Sequence, residues 1–403
     1  MSKLSICIPT YNRSRYLREL LESIARQDCP EIEVIVSDDA SPDDSVEVAK
    51  QFQGRVRELT VLDHPVNLGM DGNFLAVTNV AKGTYIWLMG DDDRIEPGGV
   101  ARVLSALEAW PGVIGLTLGV VDYDKEMQTA TGIRQMPPTQ SFVGASALFS
   151  KAAELLGFMS ALVIDRERWA TISKEPDISK YHNYYVQVYI IGRAIGLEGL
   201  WGIVREPCVG FRTGNDQLRR KYGWLKRLEF DVAAYEQIAV GLFGKGTKPY
   251  RAIKRRIFDT HVMARVLNAK TAPGATGSIP AAIGYLFKYY GDLPQFWMTL
   301  LPTLAMPKWA VSFVRQVYKR FSPSSGEARA RVHKSVGTPS WGSCISGCTL
   351  NGAHGRCGDR NALKNDVPGA GEISEDVDSE CSSRPDCRAE LKNEKIVRTT
   401  STG

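Results

Sequence analysis

The decisive stretch is Trp87-Leu88-Met89-Gly90-Asp91-Asp92-Asp93-Arg94-Ile95-Glu96-Pro97, an apolar run that leads straight into three adjacent carboxylates. Adjacent carboxylates repel one another at neutral pH, so the fold has to supply a compensating cation or solvate them fully. We expect Mg²⁺ or Mn²⁺, because these ions prefer oxygen ligands and are usually held by one or two carboxylates together with substrate phosphates. The stretch therefore indicates a phosphorylated substrate.

The alternative interpretation of this stretch is an acidic loop before a helix that begins near Pro97. Carboxylates are favourable beside a helix N-terminus, whatever the function of the loop. The position of the acids favours a site, because ligands of open α/β sheets bind outside the carboxyl ends of the strands.

Two earlier strands, predicted over Lys3–Thr10 and Ile32–Ser37, also end in polar turns. The first turn consists of Pro9, Thr10, Tyr11 and Asn12. Its flat aromatic ring and small hydrogen-bonding groups suit a nucleotide base. The second strand meets Asp38 and Asp39, which precede the next helix and suit a base imide or a ribose hydroxyl. Together with the three acids, these turns predict one nucleotide crevice at successive strand ends.

Two common nucleotide-binding motifs are missing from the chain. It contains neither G-x-x-x-x-G-K-[ST] nor G-x-G-x-x-G. This argues against a P-loop enzyme and against a dinucleotide-dependent dehydrogenase.

Four motifs follow one another in the first part of the chain. They are Ile8-Pro9-Thr10-Tyr11-Asn12-Arg13, Val36-Ser37-Asp38-Asp39-Ala40-Ser41, Asn67-Leu68-Gly69, and Gly83-Thr84-Tyr85 leading into Gly90-Asp91-Asp92-Asp93 and Pro97. In this order they resemble the family 2 glycosyltransferases of the GT-A fold, closely up to about residue 110. A looser similarity to bacterial O-antigen transferases of the abequosyltransferase-like group extends through Arg212-Thr213-Gly214-Asn215-Asp216. The resemblance implies an α/β fold with an open, mostly parallel sheet flanked by helices.

The same resemblance implies roles for individual residues toward a nucleoside diphosphate sugar. Tyr11 lies against the base, Asp39 on its hydrogen-bonding edge, and Asp91 near the ribose and diphosphate. The other expected donor-binding residues are Pro9, Thr10, Asn12, Asp38, Asn67 and Gly69.

The resemblance also implies a divalent cation, Mn²⁺ or Mg²⁺. Asp92 matches the metal-binding last acid of the family's Asp-x-Asp motif, five residues before Pro97. The chain departs from the family at Gly90, where many members have the first Asp of that motif. Asp93 is the residue expected to compensate, as a second metal ligand.

The general base is the least defined part of the expected site. The corresponding family position falls on Ser179–Tyr184, which contains no Glu-Asp pair. His182 and Asp177 are therefore the candidates to accept the proton of the acceptor hydroxyl. Both also have a structural reading, His182 as a surface or packing residue and Asp177 as part of an exposed turn.

Charge and composition divide the chain into three parts. Residues 1–217 are expected to form the GT-A domain. Residues 218–321 hold 18 Lys and Arg against 5 Asp and Glu, a local charge of +13 in a chain of net charge +5. This basic helical region carries Trp297, Trp309 and Phe313, a composition that suits either an element lying on an anionic membrane or a plain packed subdomain. Residues 322–403, with one aromatic residue and five of the eight cysteines, are expected to be a disordered or non-native tail.

Taken with these patterns, the resemblance implies a metal-dependent glycosyltransferase of surface polysaccharide synthesis. Its expected partners are a nucleoside diphosphate sugar, a hydroxyl of a lipid-linked glycan acceptor and an anionic membrane surface, with no nucleic acid. The expected location is cytoplasmic, peripheral on the inner face of the membrane, because the chain begins without a secretory signal. A non-catalytic nucleotide-sugar binding or scaffold protein remains an alternative, motivated by Gly90 and the missing acid pair. A sugar nucleotidyltransferase is less favoured, since its glycine- and lysine-rich phosphate loop is missing.

Overall fold

The computed structural model describes residues 3–271 and 278–321. The tail predicted for residues 322–403 lies outside the described residues.

The first half of the sheet is parallel. Its strands are β1 Leu4–Thr10, β2 Ile32–Asp38, β3 Leu59–Asp63 and β4 Tyr85–Leu88. They pair in the order β3-β2-β1-β4. The helices between them are α1 Ser14–Ala25, α2 Ser45–Lys50 and α3 Gly69–Asn79. Because helices cover both faces, β1 and β2 are almost completely buried and read as apolar runs.

The second half of the sheet is mixed. Its strands are β5 Arg94–Ile95, β6 Gly115–Tyr123, β7 Ala130–Ile133, β8 Gln140–Val143, β9 Leu162–Asp165 and β10 Leu200–Arg212. The sheet continues as β4-β9-β6-β10-β5, in which β9 lies antiparallel to both β4 and β6. The helices here are α4 Gly99–Ala109, α5 Ala145–Ala152, α6 Arg166–Ile172 and α7 Val186–Ile195. The expected open α/β sheet is confirmed, and only its second half departs from parallel pairing.

The basic region is helical and packs on the sheet domain. Its helices are α8 Gln217–Phe243, α9 Lys248–Ile257, α10 Met263–Thr271, α11 Ile279–Tyr290, α12 Leu301–Ala305 and α13 Lys308–Phe321. Helix α8 is interrupted at Gly223, whose φ is 80°. Leu228, Val232 and Tyr235 of α8 share a hydrophobic core with Ile190 of α7. The two regions are thus in contact through a common core. The domain boundary between residues 217 and 218 stays a prediction.

Within residues 3–271 and 278–321, none of the helices combines the length and hydropathy needed to cross a membrane.

The start of α2 lies three residues later than the sequence predicts, and the Asp43 carboxylate takes part in it. The motif at Ser41 predicts a helix that begins at Pro42, yet α2 begins at Ser45. The Asp43 carboxylate accepts hydrogen bonds from the backbone N–H groups of Ser14, at 2.8 Å, and Ser45, at 3.2 Å. Asp43 therefore joins the starts of α1 and α2.

Candidate active-site crevice

A crevice of about 350 Å³ opens at the carboxyl ends of β1, β2 and β4. Nine of the sequence-predicted site residues line it: Pro9, Thr10, Tyr11, Asp39, Asn67, Gly69, Asp91, Asp92 and Asp93. They come from turns that are far apart in the chain. The parallel pairing of β1, β2 and β4 places these turns at one edge of the sheet.

Asp39 organises the turn that enters α3. Its Oδ1 accepts from the backbone N–H of Leu68 at 2.6 Å, and its Oδ2 accepts from that of Gly69 at 3.1 Å. Asn67 returns a hydrogen bond from Nδ2 to the Asp39 carbonyl oxygen at 2.9 Å. Gly69 has a φ of 77°, in the left-handed region that favours glycine. Beside this rigid turn, the Tyr11 side chain remains 45% exposed and is open to a flat ligand.

Asn12 and Asp38 do not line the crevice, although both were predicted to bind the donor. The backbone N–H of Asn12 donates to Ser41 Oγ at 2.8 Å. Asp38 is buried, and its Oδ2 accepts from the Ser41 backbone N–H at 2.8 Å. Its Oδ1 is buried with no hydrogen-bond partner among the described residues. Both residues meet Ser41 and hold the β1 and β2 turns together behind the crevice wall.

Arg13 supplies part of the positive charge that the acid cluster requires. Its Nη1 lies 2.8 Å from Asp91 Oδ1 and 2.9 Å from Asp92 Oδ2. With the Gln217 amide oxygen turned toward it, the guanidinium also donates from Nε and Nη2 at 2.7 and 2.9 Å. Burial lowers the pKa of Arg13, but Asp91 and Asp92 outweigh burial and the pKa is raised. The fold therefore compensates the negative charge of the acids with the Arg13 guanidinium. The only sign of this role in the sequence is the position of Arg13 directly after the first turn.

Asp91 is the most enclosed of the acids facing Arg13. Its Oδ2 accepts from Thr10 Oγ1 at 2.8 Å. Burial raises the pKa of Asp91 to about 6, although the Arg13 guanidinium acts in the opposite direction. Asp91 thus links the β1 turn to the β4 turn.

Asp93 is held by groups from the second half of the sheet. Its Oδ2 accepts from Ser160 Oγ at 2.5 Å, and its Oδ1 accepts from the Arg212 backbone N–H at 3.1 Å. Burial, followed by the neighbouring Asp92, raises its pKa well above the usual range. A Cβ on Gly90 would lie 3.1 Å from Ser160 Oγ and 3.3 Å from Asp93 Oδ2. Ser160 and Asp93 therefore crowd the space that a side chain at position 90 would enter.

Asp92 is the acid with an oxygen still available to a ligand. Its side chain is 18% exposed, and its Oδ2 accepts from Asn215 Nδ2 at 2.6 Å. No hydrogen bond from the described residues reaches its Oδ1. Nor does any set of three or more His, Cys, Asp or Glu within residues 3–271 and 278–321 have the arrangement to hold a metal ion. The arrangement fits an ion held by one carboxylate with substrate phosphates as further ligands, as Mg²⁺ often is.

The two candidate bases do not line the crevice. Asp177 is exposed and pairs with Lys180 at 2.7 Å. His182 is also exposed and follows a short 3₁₀ turn, Ile178–Tyr181. Tyr184 and Tyr185, which lie between His182 and the start of α7 at Val186, line the crevice wall instead.

Comparison with known proteins agrees with this architecture. Residues 5–162 match the family described as glycosyl transferase family 2. Abequosyltransferase RfbV of Salmonella typhimurium is 28% identical over 265 residues, which are 62% of this chain and 78% of that protein. The GalNAc(5)-diNAcBac-PP-undecaprenol beta-1,3-glucosyltransferase of Campylobacter jejuni is 33% identical over 119 residues, which are 28% of this chain and 38% of that protein.

The fold is also similar to a solved structure. Residues 1–349 of TarS from Staphylococcus aureus, in complex with UDP-GlcNAc, match with a TM-score of 0.53 and 15% identity, covering 73% of this chain and 82% of that one. At this identity the likeness concerns the fold, a GT-A type sheet with flanking helices. This likeness in fold agrees with the match of residues 5–162 to glycosyl transferase family 2 and with the similarity to the abequosyltransferase.

Proposed function

We propose that the chain transfers a sugar from a nucleoside diphosphate donor to a hydroxyl of a lipid-linked glycan, with a divalent cation held at Asp92. The observation that carries the proposal is the crevice itself. It combines an exposed Tyr11 ring, the rigid Asp39 turn and an acid cluster with one open carboxylate oxygen.

In this proposal the donor lies along the carboxyl edge of the parallel strands. Tyr11 packs on the nucleobase, and the turn formed by Asp39, Asn67 and Gly69 faces its polar edge. The diphosphate then reaches the Asp91 and Arg13 pair, where a guanidinium can bind phosphate oxygens. Nine of the residues that the sequence associates with the donor and the metal lie in this one crevice.

The cation is proposed to be Mn²⁺ or Mg²⁺, with Asp92 as its protein ligand. When bound, such an ion acts as a Lewis acid on the oxygen of the departing diphosphate. Asp92 presents Oδ1, while Arg13 and Asn215 fix the other oxygen. Asp93, which the sequence suggests as a second ligand, is proposed to orient the turn through Ser160.

The lipid-linked acceptor is proposed from the relatives and from the outer surface of the helical region. The Campylobacter relative is named for a glycan linked to undecaprenol. In this chain seven large apolar side chains of residues 287–314 are exposed: Phe287, Trp297, Met298, Met306, Trp309, Phe313 and Val314. We call them the C-terminal apolar surface.

An anionic membrane is the partner that fits this surface. The region has a local charge of +13, and Lys288 and Lys308 are exposed next to aromatic residues of the surface. Each basic residue near an anionic leaflet contributes about 1 kcal/mol to binding. The Phe287 and Trp297 rings meet edge to face with centroids 5.9 Å apart, and Trp309 is 74% exposed. The proposed location is therefore the surface of the cytoplasmic leaflet.

A donor screen tests the enzymatic proposal. Purified protein is incubated with a panel of nucleoside diphosphate sugars, and nucleoside diphosphate release is measured with Mn²⁺, with Mg²⁺ and with EDTA. We expect release from at least one donor, and loss of that release in EDTA. Binding without release from any donor would favour the non-catalytic alternative. Pyrophosphate release from a nucleoside triphosphate and a sugar phosphate would favour the nucleotidyltransferase.

A vesicle assay tests the membrane proposal separately. The protein is sedimented with phosphatidylglycerol-containing vesicles and with neutral phosphatidylcholine vesicles at low and high salt. We expect binding to the anionic vesicles that weakens as salt screens the charges. Failure to bind anionic vesicles at low salt would make the region a packed subdomain only.

A further inference from the structure

Six carboxylates line the crevice, and five of them are already engaged by several donors. Asp39 accepts from two backbone N–H groups, and Asp93 accepts from Ser160 and the Arg212 N–H. Asp91 contacts Thr10 and Arg13, and Asp92 contacts Arg13 and Asn215. Asp216 contacts Arg227, Arg265 and the Arg219 N–H. The sixth is Asp71, in the first turn of α3. Among the described lining residues there is no histidine, glutamate, lysine or cysteine. A proton acceptor built into this wall is therefore an aspartate, and the question is which one is free.

Asp71 has a single hydrogen bond. Its Oδ2 accepts from the backbone N–H of Tyr184 at 3.2 Å. Within the part of the chain that the structure describes, no arginine or lysine forms an ion pair with Asp71, and its Oδ1 receives no hydrogen bond. An acceptor hydroxyl approaching through the crevice can donate to that oxygen without displacing a protein partner.

The one hydrogen bond of Asp71 also fixes where its carboxylate points. Tyr184 has a φ of 71°, a left-handed conformation that is costly for a residue with a large side chain. The strained turn presents the Tyr184 N–H to Asp71 and keeps the Tyr184 side chain in the crevice wall. A carboxylate positioned in this way keeps the orientation that proton transfer requires.

The electrostatic surroundings favour a proton acceptor as well. Burial raises the pKa of Asp71, while the Tyr184 N–H and the charge of His182 act in the opposite direction. A general base works best when its pKa lies close to the operating pH, so a raised carboxyl pKa suits this role. His182, expected from the sequence to be a base itself, would instead influence the reaction through Asp71.

We propose that Asp71 is the general base of the transfer reaction, an inference that rests on the proposed function. The acceptor oxygen forms a bond to the anomeric carbon of the donor sugar. The bond from that carbon to the diphosphate oxygen breaks, and its electron pair leaves with the nucleoside diphosphate. The proton of the acceptor hydroxyl passes to Asp71 Oδ1.

Two substitutions separate this role from a purely structural one. Asp71→Asn keeps a carbonyl oxygen that can accept from the Tyr184 N–H but cannot take a proton at neutral pH. Asp71→Ala removes both functions. We expect Asp71→Asn to lower nucleoside diphosphate release by about 10²- to 10⁴-fold, the usual contribution of a general base. The exposed Asp44, whose side chain makes no capping hydrogen bond, provides the matched control Asp44→Asn.

The readouts are donor affinity, turnover and the pH profile of the wild type. The affinity for the released nucleoside diphosphate, measured by calorimetry, should be the same in Asp71→Asn and the wild type. Wild-type turnover should fall as the pH drops through the raised pKa of Asp71, since the base becomes protonated, and Asp71→Glu should recover part of the activity. The groups that act on this carboxyl are the Tyr184 N–H and His182.

The outcomes distinguish failure of this inference from failure of the proposed function. Wild-type turnover with an equally active Asp71→Asn overturns the base and leaves the transferase intact. An active Asp71→Asn with an inactive Asp71→Ala assigns Asp71 to holding the Tyr184 turn, which also overturns it. A wild type that releases nothing from any donor overturns the proposed function and this inference with it.

Discussion

The crevice and the helical region each pair an aspartate with arginine, but only the crevice leaves the carboxylate accessible. In the crevice, Asp92 meets Arg13 and Asn215 and remains 18% exposed. In the helical region, Asp231 is completely buried and accepts from Tyr185 Oη at 2.6 Å, with Arg227 and Arg265 as ion-pair partners. The same compensation thus serves two purposes. A sealed carboxylate holds elements together, whereas an open one can bind a ligand.

The two regions also differ in what they present to their surroundings. The crevice turns its polar groups inward, to the edge where the parallel strands end. The helical region turns aromatic side chains outward, with Trp297 at 53% and Trp309 at 74% exposure. Exposed apolar clusters on a soluble surface usually mark a binding site for a partner or a membrane. We therefore expect the crevice to carry out the reaction and the helical region to bind a membrane or a partner.

The largest effect is expected from removing the negative charge of the buried Asp231. Asp231→Asn leaves Arg227 and Arg265 with only the partly exposed Asp216 as an ion-pair partner among the described residues. Breaking a buried pair costs about 3–5 kcal/mol of unfolding free energy, and Asp216 should keep the loss at the lower end of that range. Urea unfolding measures the loss. The exposed pair of Glu108 with Lys3 provides the control, because Glu108→Gln should lower the free energy of unfolding much less. Equal losses in both variants would mean that burial of an ion pair does not determine its contribution to stability in this protein.

The open carboxylate should behave in the opposite way. Asp92→Asn is expected to lower sugar transfer by about 10²- to 10³-fold, the range for loss of one group that stabilises developing charge. The free energy of unfolding should change little, because Asn keeps an oxygen toward Arg13 and because Arg13 also pairs with Asp91. Nucleoside diphosphate release is the measurement. If the variant were active and EDTA did not reduce its activity, Asp92 would be excluded as the metal ligand.

The stability of the helical region should also depend on pH. Burial, with help from Arg265 and Arg227, lowers the pKa of His261 to about 3, so His261 is neutral in the folded protein. The unfolded chain binds a proton there below its ordinary pKa near 6.5, so stability falls as the pH drops from about 6.5 toward 3. Between pH 7 and 5 this group costs about 2 kcal/mol. His261→Gln should lose less stability than the wild type over that interval, as measured by urea unfolding at both pH values.

The smallest of these effects concerns the C-terminal apolar surface. Replacing Trp297 and Trp309 by alanine should weaken binding to anionic vesicles on the order of tenfold, because binding scales with the apolar area inserted. Turnover of a soluble donor should remain unchanged, since neither residue lines the crevice. Vesicle sedimentation and nucleoside diphosphate release provide the two readouts. A parallel loss of both would mean that the surface supports the crevice rather than the membrane.

Local sequence determined the framework of the site. Apolar runs and polar turns predicted the first two strands to within one residue at each end. The motifs at Tyr11, Asp39 and Asp92 identified crevice residues, because turns at the carboxyl ends of parallel strands converge on one edge. The resemblance carried by those motifs is to the same family that residues 5–162 match.

Tertiary structure decided what each polar group does. Arg13 reaches Asp91 across 78 positions of sequence, Asn215 reaches Asp92 across 123, and Tyr184 reaches Asp71 across 113. Periodicity and turn chemistry act over a few neighbouring residues, so they carry no information about such partners. Whether a carboxylate is sealed, paired or open depends on side chains that only the packing of distant elements brings within hydrogen-bonding distance.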